Sequence, residues 1–334
     1  MTGTNTATTM KLAAVTLAAG LGLASAGPAS AANITLCGAS PGGLWQLLGA
    51  GLDAAVRQVS PQSTVTYQTS SGGFANIVQI KAGTCDVAIV HLGEVVIAER
   101  GEDPFSEPVD GVVAVSLLYN WAPMQWVVAR SFAEEHGLES IADLATAQPR
   151  LDIVLNRRGI LPFILADQAL NLAGITLEDI EAWGGSIQFQ GSANAAEILQ
   201  DRRADAWVNA TFIGDRAVNA IANSRDITLL SVPDDVVAAM GEAYGSIPFT
   251  IPAGSYEWLD RDVHTFGASA ALVATADTDP EIIRLLATAI AEHTDQIQSV
   301  HGAMQAFDGP LAASITRLPY HPIAEEIFRD AGLK

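Results

Sequence analysis

The hydrophobic residues of this chain fall into short β-branched runs that alternate with longer stretches of helical periodicity. In the first third of the chain the pattern predicts strands at 34–37, 64–68 and 86–90, separated by helices at 44–59 and 75–82. Period-two runs bounded by turn residues indicate strands, whereas apolar residues repeating every three to four positions indicate amphipathic helices. This alternation is typical of a parallel α/β sheet.

A second α/β series follows two strand-like runs at 111–118 and 124–129. Its predicted elements, in chain order, are strand 151–155, helix 162–172, strand 186–189, helix 193–203, strand 206–209, helix 214–222 and strand 227–232. The segment 246–260 is rich in Pro and Gly, which predicts a loop. A strand at 266–274 and a long helix at 280–300 then lead to a short terminal helix.

Two α/β series, with one strand leading out and a late strand leading back, predict two lobes joined by crossing strands. Lobe one would comprise residues 32–118 plus 269–334, and lobe two residues 122–264. The crossover strands would lie near 119–129 and 264–275. Ligands of open α/β sheets bind at the carboxyl ends of the strands. The residues that directly follow each strand are therefore the first candidates for a site.

The first 31 residues have the pattern of a secretory signal peptide. Lys11 precedes an apolar run at 12–23, and Ala29 and Ala31 form an A-x-A cleavage site. The alternative is a membrane anchor, but the run is shorter than the roughly 20 residues that span a bilayer. We expect residues 1–31 to be removed and the mature protein to be periplasmic.

Composition and charge narrow the classes of partner. Hydrophobic residues make up 49% of the chain and charged residues 16%, which is ample core material for a folded protein. The formal net charge of −20 repels nucleic acid and anionic lipid. An anionic ligand would therefore need a locally positive or amide-lined pocket.

Cys37 and Cys85 are the two cysteines of the chain. An oxidising compartment favours a disulfide between them. The predicted strands argue against one, because Cys37 lies late in its strand whereas Cys85 opens the next. If the two strands are parallel neighbours, the Cα atoms of the two cysteines would be farther apart than the roughly 7 Å that a disulfide can bridge. The sequence leaves the pairing open.

A glycine-rich loop follows the first predicted strand. Residues 38–42 match the G-x-S-x-G motif of serine hydrolases, but the residue after the serine is Pro41, which has no N–H for an oxyanion hole. The alternative functional interpretation is an anion-binding loop, in which glycines expose the free N–H groups of a helix start. A plain tight turn is the remaining alternative. The candidate ligand contacts in this loop are Ser40, Gly42, Gly43 and Trp45.

Further candidates follow the other predicted strands and so share the same sheet edge. They are Ser70, Ser71 and Gly72 after the second strand, His91 after the third, Asn120 and Trp121 at the crossover, and Asn156, Arg157, Arg158 and Asn209 in the second series. Neighbouring residues of an extended loop point to opposite sides. We therefore expect only one of Arg157 and Arg158 to face the ligand.

Several stretches resemble the TAXI-type solute receptors of TRAP transporters. The resemblance is strongest at 34–49, 69–77 and 80–90, and it continues thinly to Pro319-Tyr320-His321-Pro322. It implies a two-lobe periplasmic-binding-protein fold of the type II-like class and partner TRAP subunits in the membrane. The implied ligand is a small organic anion, a dicarboxylate or an amino acid such as glutamate or 2-oxoglutarate.

Two loops depart from that family. The chain has Asn156-Arg157-Arg158-Gly159-Ile160 where the family has a Gly- and Ser-rich loop, and His91 to Glu94 where it has a small polar residue and an aspartate. The remaining histidines show no metal-ligand spacing. We expect a monomer without metal or cofactor, with a sensory receptor as the alternative function and a serine hydrolase as a remote one.

Overall fold

The computed structural model describes residues 1–4, 31–39, 41 and 43–334. Most of the predicted signal peptide lies outside the described residues, as do the candidate contacts Ser40 and Gly42. Within the described part of the chain, no helix is both long enough and apolar enough to cross a membrane.

Strands and helices alternate along residues 31–334. The strands are β1 (Asn33–Cys37), β2 (Thr64–Gln68), β3 (Val87–His91), β4 (Val112–Ala129), β5 (Asp152–Leu155), β6 (Ser186–Phe189), β7 (Ala206–Ala210), β8 (Ile227–Leu230), β9 (Ile247–Ile251) and β10 (Val263–Thr275). The helices are α1 (Leu44–Val59), α2 (Gly73–Lys81), α3 (Leu92–Arg100), α4 (Arg130–His136), α5 (Asp143–Ala147), α6 (Leu161–Leu172), α7 (Leu177–Ala182), α8 (Ser192–Gln200), α9 (Arg216–Ala222), α10 (Asp234–Tyr244), α11 (Pro280–Glu292), α12 (Thr294–Gln298), α13 (Gly309–Ala312) and α14 (Pro322–Asp330).

The strands join in the order β2-β1-β3-β10-β4-β7-β5-β6, with β8 beside β4 and β9 beside β10. β1 pairs in parallel with β2 and β3, and β5 pairs in parallel with β6 and β7. The long strands β4 and β10 run antiparallel to each other between these two parallel groups. The α/β fold class with parallel groups joined by crossing strands is therefore confirmed.

The prediction of two separate strands at 111–118 and 124–129 is wrong, because β4 continues through both. It pairs with β10 as far as Pro123, and from Met124 onward it pairs with β7 and β8. The carbonyl oxygen of Pro123 still accepts a hydrogen bond, from the Thr211 N–H at 3.1 Å. Pro123 does not end the strand, because its carbonyl oxygen is hydrogen-bonded and β4 has neighbouring strands on both sides.

The prediction of a loop over 246–260 is also wrong at its start. β9 pairs antiparallel with β10, and Pro248 lies opposite Phe266. Proline is tolerated in an edge strand because its missing N–H need not join a ladder. The predicted helix 280–300 is interrupted at His293, whose backbone (φ −131°, ψ 46°) separates α11 from α12.

Hydrophobic residues form separate clusters on the two parallel groups. One surrounds β1, β3, β10 and the first half of β4, with α1 and α11 packed on it. A second surrounds β5, β7 and the second half of β4, with α6 and α10. Residues 31–334 nevertheless make one compact unit. The division into lobes at 118 and 122 stays a prediction.

Cys37 and Cys85 are joined by a disulfide, with 5.8 Å between their Cα atoms. The argument against the bond fails because β3 begins only at Val87, which leaves Cys85 in the bend before it. That bend folds against β1. The Asp86 N–H donates to the Thr35 carbonyl at 3.0 Å, and the Thr35 N–H donates to the Asp86 carboxylate at 2.7 Å.

Candidate functional site

A cavity of about 540 Å³ lies where four helices begin. The starts of α1, α2 and α3, which follow β1, β2 and β3, line one side, and the segment before and into α6 lines the other. Its volume is within the range of roughly 300–1,000 Å³ that small-molecule sites occupy. The lining residues are Ala39, Gly43, Leu44, Trp45, Ser71, Gly72, Gly73, Phe74, Ala75, His91, Glu94, Tyr119, Arg157, Gly159, Ile160, Pro162 and Phe212.

Glycines at the starts of α1 and α2 border this cavity. Gly43 is the N-cap of α1 and Gly72 the N-cap of α2, and neither helix start has a side-chain cap. Gly72 has a φ of 116°, which residues with a side chain rarely adopt. The first N–H groups of a helix lack intrahelical partners and lie at the positive end of its dipole. Both helix starts therefore suit an anionic group of a ligand.

Tyr67 holds the chain at Ala39, two residues after the end of β1. Its hydroxyl accepts from the Ala39 N–H at 2.6 Å and lies 3.1 Å from the Ala39 carbonyl, to which it donates. The ring occupies the space beside Gly38, where a Cβ would overlap it. Burial raises the pKa of Tyr67, although the hydrogen bond with Ala39 offsets part of the effect. The hydroxyl therefore stays protonated and keeps its donor.

Asn76 ties together the ends of the first three strands. This buried side chain donates from Nδ2 to the carbonyl oxygens of Gly38 and Ile89, each at 2.7 Å. Its Oδ1 accepts from the Ser70 hydroxyl at 2.5 Å. Ser70, predicted as a ligand contact, does not line the cavity, because its hydroxyl is committed to this network. The hydroxyl also receives the Gly72 N–H at 3.0 Å and so shapes the start of α2.

Aromatic side chains form the floor of the cavity. The Trp45 indole N–H donates to the Tyr119 hydroxyl at 3.0 Å, and both residues are buried. The Trp45 ring also faces the His91 ring, with 5.0 Å between the centroids. Burial raises the pKa of Tyr119 far above its usual range; its hydrogen bond with Trp45 opposes this shift and the nearby Glu94 charge adds to it. Tyr119 is therefore a neutral hydrogen-bonding group.

Glu94 places a carboxylate in this aromatic surrounding. It is 4% exposed, and its Oε2 accepts from the His91 N–H at 2.7 Å. The His91 Nδ1 lies 3.5 Å from the same oxygen, and His91 and Glu94 form a capping box at the start of α3. A Cβ at Gly73 would overlap the carboxylate, so this glycine makes the space that Glu94 occupies.

On the opposite side, the two predicted arginines separate. Arg157 lines the cavity, whereas the Arg158 guanidinium lies over the Phe189 ring at 4.2 Å and borders a different pocket. Both side chains are exposed. The Asn156 side chain donates to the Asn209 side chain at 2.8 Å. Its Oδ1 accepts a hydrogen bond from the Arg157 N–H at 2.8 Å. Asn156 thus supports the backbone on which Arg157 lies.

The model of the NMT1-like family matches residues 36–332. The chain belongs to the NMT1-like family. No curated protein sequence matches it. The TAXI subtype within which the sequence analysis placed it stays a prediction.

Solved periplasmic binding proteins share the fold of this NMT1-like protein. PhnD1 from Prochlorococcus marinus, in complex with methylphosphonate, is 13% identical, with a TM-score of 0.55 over 90% of this chain and 99% of that one. MatC from Rhodopseudomonas palustris with bound malate is 13% identical, with a TM-score of 0.52 over 90% and 96%. The periplasmic aliphatic sulphonate binding protein SsuA from Escherichia coli is 14% identical, with a TM-score of 0.50 over 90% and 84%. At these identities the likeness shows the periplasmic-binding-protein fold.

The NMT1-like chain brings only part of the predicted set together. The predicted residues that line the cavity are Gly43, Trp45, Ser71, Gly72, His91 and Arg157. Those that lie elsewhere are Ser70, Asn120, Trp121, Asn156, Arg158 and Asn209. Trp121, for example, donates its indole N–H to the Ala303 carbonyl at 2.8 Å. Ser40 and Gly42 lie outside the described residues.

Sequence reasoning did not single out the buried part of the cavity. Phe74, Tyr119 and Phe212 have the apolar character of core positions, and nothing in the pattern distinguishes them from core. Glu94 did carry a signal, since an acid three residues after the end of a strand is typical of a helix N3 position. Within the described part of the chain, no group of three or more His, Cys, Asp or Glu is placed to hold a metal ion.

Proposed function

We propose that this NMT1-like protein is an extracytoplasmic solute-binding receptor without catalytic activity. Its ligand is a small organic anion, of the size of a dicarboxylate or an amino acid. The observation that carries the proposal is the convergence of two uncapped helix starts and Arg157 on one cavity of about 540 Å³.

An anion fits this cavity although the protein is acidic. The net charge of −20 repels anions at a distance, so binding depends on the local field of the site. The starts of α1 and α2 supply backbone N–H groups and the positive ends of two helix dipoles. Arg157 adds a permanent positive charge on the other side. The site therefore combines opposite walls that both favour an acidic group.

The ligands of the structural neighbours support this class of solute. The methylphosphonate of PhnD1, the malate of MatC and the sulphonates of SsuA each carry an acidic group on a small skeleton. Open α/β folds bind ligands at the carboxyl ends of their parallel strands, which supports a ligand site in this cavity. These observations support an acidic ligand, and experiment must identify its carbon skeleton.

A ligand that touches both walls would stabilise a closed form of the protein. Closure is favoured because only the closed form lets the ligand gain both sets of contacts. We expect a membrane transporter to recognise that form. The resemblance to TAXI receptors supports a TRAP transporter as the partner and the periplasm as the compartment.

A hydrolase is disfavoured by the chemistry of the loop after β1. Pro41 follows the serine of the G-x-S-x-G match and has no N–H to stabilise an oxyanion. The structural neighbour SsuA is named as a binding protein. We expect no ester or amide turnover.

A thermal-shift screen of organic acids, phosphonates, sulphonates and amino acids tests the proposal. A ligand at 100 times its dissociation constant stabilises the folded state by about 2.7 kcal/mol, which gives a measurable rise in melting temperature. We expect a subset of small acids to raise it. The proposal fails if no member of the screen shifts the melting temperature at millimolar concentration.

A further inference from the structure

Glu94 is a buried carboxylate on the wall of a cavity whose other features favour anions. It is 4% exposed and lies within reach of the cavity at the start of α3. Trp45 and Tyr119 line the same region, so water solvates the carboxylate poorly. A charge in such surroundings interacts strongly with any neighbouring charge, because the local dielectric constant is low.

Among the described residues, one hydrogen bond to the Glu94 carboxylate is present. A carboxylate has about four acceptor positions. One oxygen receives the His91 N–H at 2.7 Å, and the nearest basic side-chain atom is the His91 Nδ1 at 3.5 Å. Among the described residues, no lysine or arginine forms an ion pair with Glu94. A buried carboxylate is stabilised by donors and by an opposite charge, so a cationic group of a ligand would be favoured beside Glu94.

We propose that Glu94 binds a cationic nitrogen of the solute. The proposal rests on the proposed function, and it identifies the ligand as a zwitterion of the α-amino acid kind rather than a dicarboxylate. The acidic group of the ligand lies at the start of α1, and its ammonium group lies against Glu94, whose carboxylate is next to Gly73 at the start of α2.

An aromatic neighbour of Glu94 also suits an ammonium ion. An ammonium ion brings three donors, and a carboxylate offers about four acceptor positions. The indole of Trp45, next to His91, presents an aromatic surface of the kind that attracts cations. That surface offers no such attraction to a second acidic group of the ligand.

The charge of the whole protein agrees with a zwitterion. A dianion approaching a protein of net charge −20 is repelled twice as strongly as a monoanion, whereas a zwitterion without net charge is not repelled. The buried Glu94 carboxylate adds a like charge inside the cavity that penalises a second acidic group directly.

The alternative role for Glu94 is purely structural, as the cap of α3. The Glu94→Gln variant separates the two roles, because the glutamine side-chain carbonyl still accepts from the His91 N–H. It removes only the negative charge. Glu99→Gln is the matched control, because Glu99 lies on the same helix, outside the cavity lining, and is 37% exposed in a surface pair with Arg317.

The experiment compares pairs of solutes that differ only in an amino or an oxo group. Alanine with pyruvate and leucine with 4-methyl-2-oxopentanoate are such pairs, with calorimetry or thermal shift as the readout. We expect the amino member of the preferred pair to bind the parent protein at least about tenfold more tightly. Glu94→Gln should remove that preference, and Glu99→Gln should keep it.

The outcomes separate this proposal from the receptor function. Oxo acids that bind the parent as tightly as amino acids would overturn the assignment of Glu94 and leave the receptor function standing. An unchanged preference in Glu94→Gln would do the same and leave Glu94 as a cap. If neither amino acids nor other small acids bind, both proposals fail. A parent protein without the amino preference overturns the assignment even if the variant does not fold.

Discussion

The two walls of the cavity are built in different ways. The wall at the starts of α1, α2 and α3 is fixed from behind by buried bonds: Asn76 joins the ends of the first three strands, and Tyr67 holds the loop at Ala39. The wall before α6 presents the exposed side chain of Arg157 and the half-buried Pro162, which lacks an N–H. The first wall is therefore preorganised, and the second is free to adjust to the ligand.

This difference predicts how much each wall contributes to ligand affinity. Fixed helix starts pay no ordering cost when a ligand binds, because their conformation exists beforehand. An exposed arginine loses side-chain freedom and is screened by solvent, so its contribution is modest. We expect changes on or behind the first wall to have large effects, and changes on the second to have small ones.

Removing the disulfide should have the largest effect on stability. The bond closes a loop with a sequence separation of 48 residues and lies directly behind the loop that leads to α1. The chain-entropy relation assigns a loop of this length about 4 kcal/mol. We expect the double variant Cys37→Ala and Cys85→Ala to lose about that much free energy of unfolding, measured by urea denaturation. An unfolding midpoint equal to that of the parent would show that the disulfide does not contribute to stability.

Removing the Asn76 side chain should have the next largest effect. The Asn76→Ala variant leaves the carbonyls of Gly38 and Ile89 without this donor. The Gly38 carbonyl keeps the Ser70 hydroxyl as a donor at 2.6 Å. A buried group that loses its partner costs about 1–3 kcal/mol, so we expect a loss of about 2 kcal/mol on urea denaturation. The control Asn223→Ala changes an exposed asparagine and should be neutral. Equal losses in both variants would remove Asn76 from its proposed structural role.

A Cβ at position 73 should disturb the ligand rather than the fold. The Gly73→Ala methyl overlaps the Glu94 carboxylate, which must then move. We expect about tenfold weaker binding of the solute found by thermal shift, equal to about 1.4 kcal/mol. Gly191→Ala is the matched control at the start of α8, where a Cβ meets nothing within 4 Å. Parent-like affinity in Gly73→Ala would show that the position of Glu94 does not matter.

Truncating the arginine of the second wall should have the smallest effect. Because Arg157 is exposed, we expect Arg157→Ala to weaken binding only about fivefold, close to 1 kcal/mol. Arg158→Ala should leave affinity unchanged, since Arg158 lies over Phe189 beside another pocket. Titration calorimetry of both variants decides the matter. A loss of a hundredfold at Arg157 would place the main anion contact on the second wall instead.

The sequence predicts the helix starts of the first wall better than the buried hydrogen bonds that hold them in place. The alternation of strands and helices, with glycines at 43 and 72 after strands, indicates helix starts on one sheet edge, and the structure has them there. Asn76 was not predicted, because a polar residue inside a helix is usually solvent-exposed. Asn76 is buried because its side chain forms hydrogen bonds with groups at the ends of three strands that meet at this position.

Other features depend on long-range packing that local pattern does not contain. The continuity of β4 through Pro123 requires β7 and β10 on either side. The disulfide requires the bend that brings Cys85 beside β1. Tyr119 lies in a strand whose residues are nearly all buried, so only the tertiary structure distinguishes a cavity wall from core.

The claim that the fixed helix starts bind the acidic group of a solute is tested most directly at Gly43. This N-cap residue has an extended backbone (φ −88°, ψ 171°), which valine adopts without strain, and it is exposed to the cavity. The Gly43→Val side chain would cover the first N–H groups of α1. Titration calorimetry of the stabilising solute should show binding to the parent and none to Gly43→Val, with both proteins unfolding at similar temperatures. Parent-like affinity in a folded Gly43→Val protein would contradict the account.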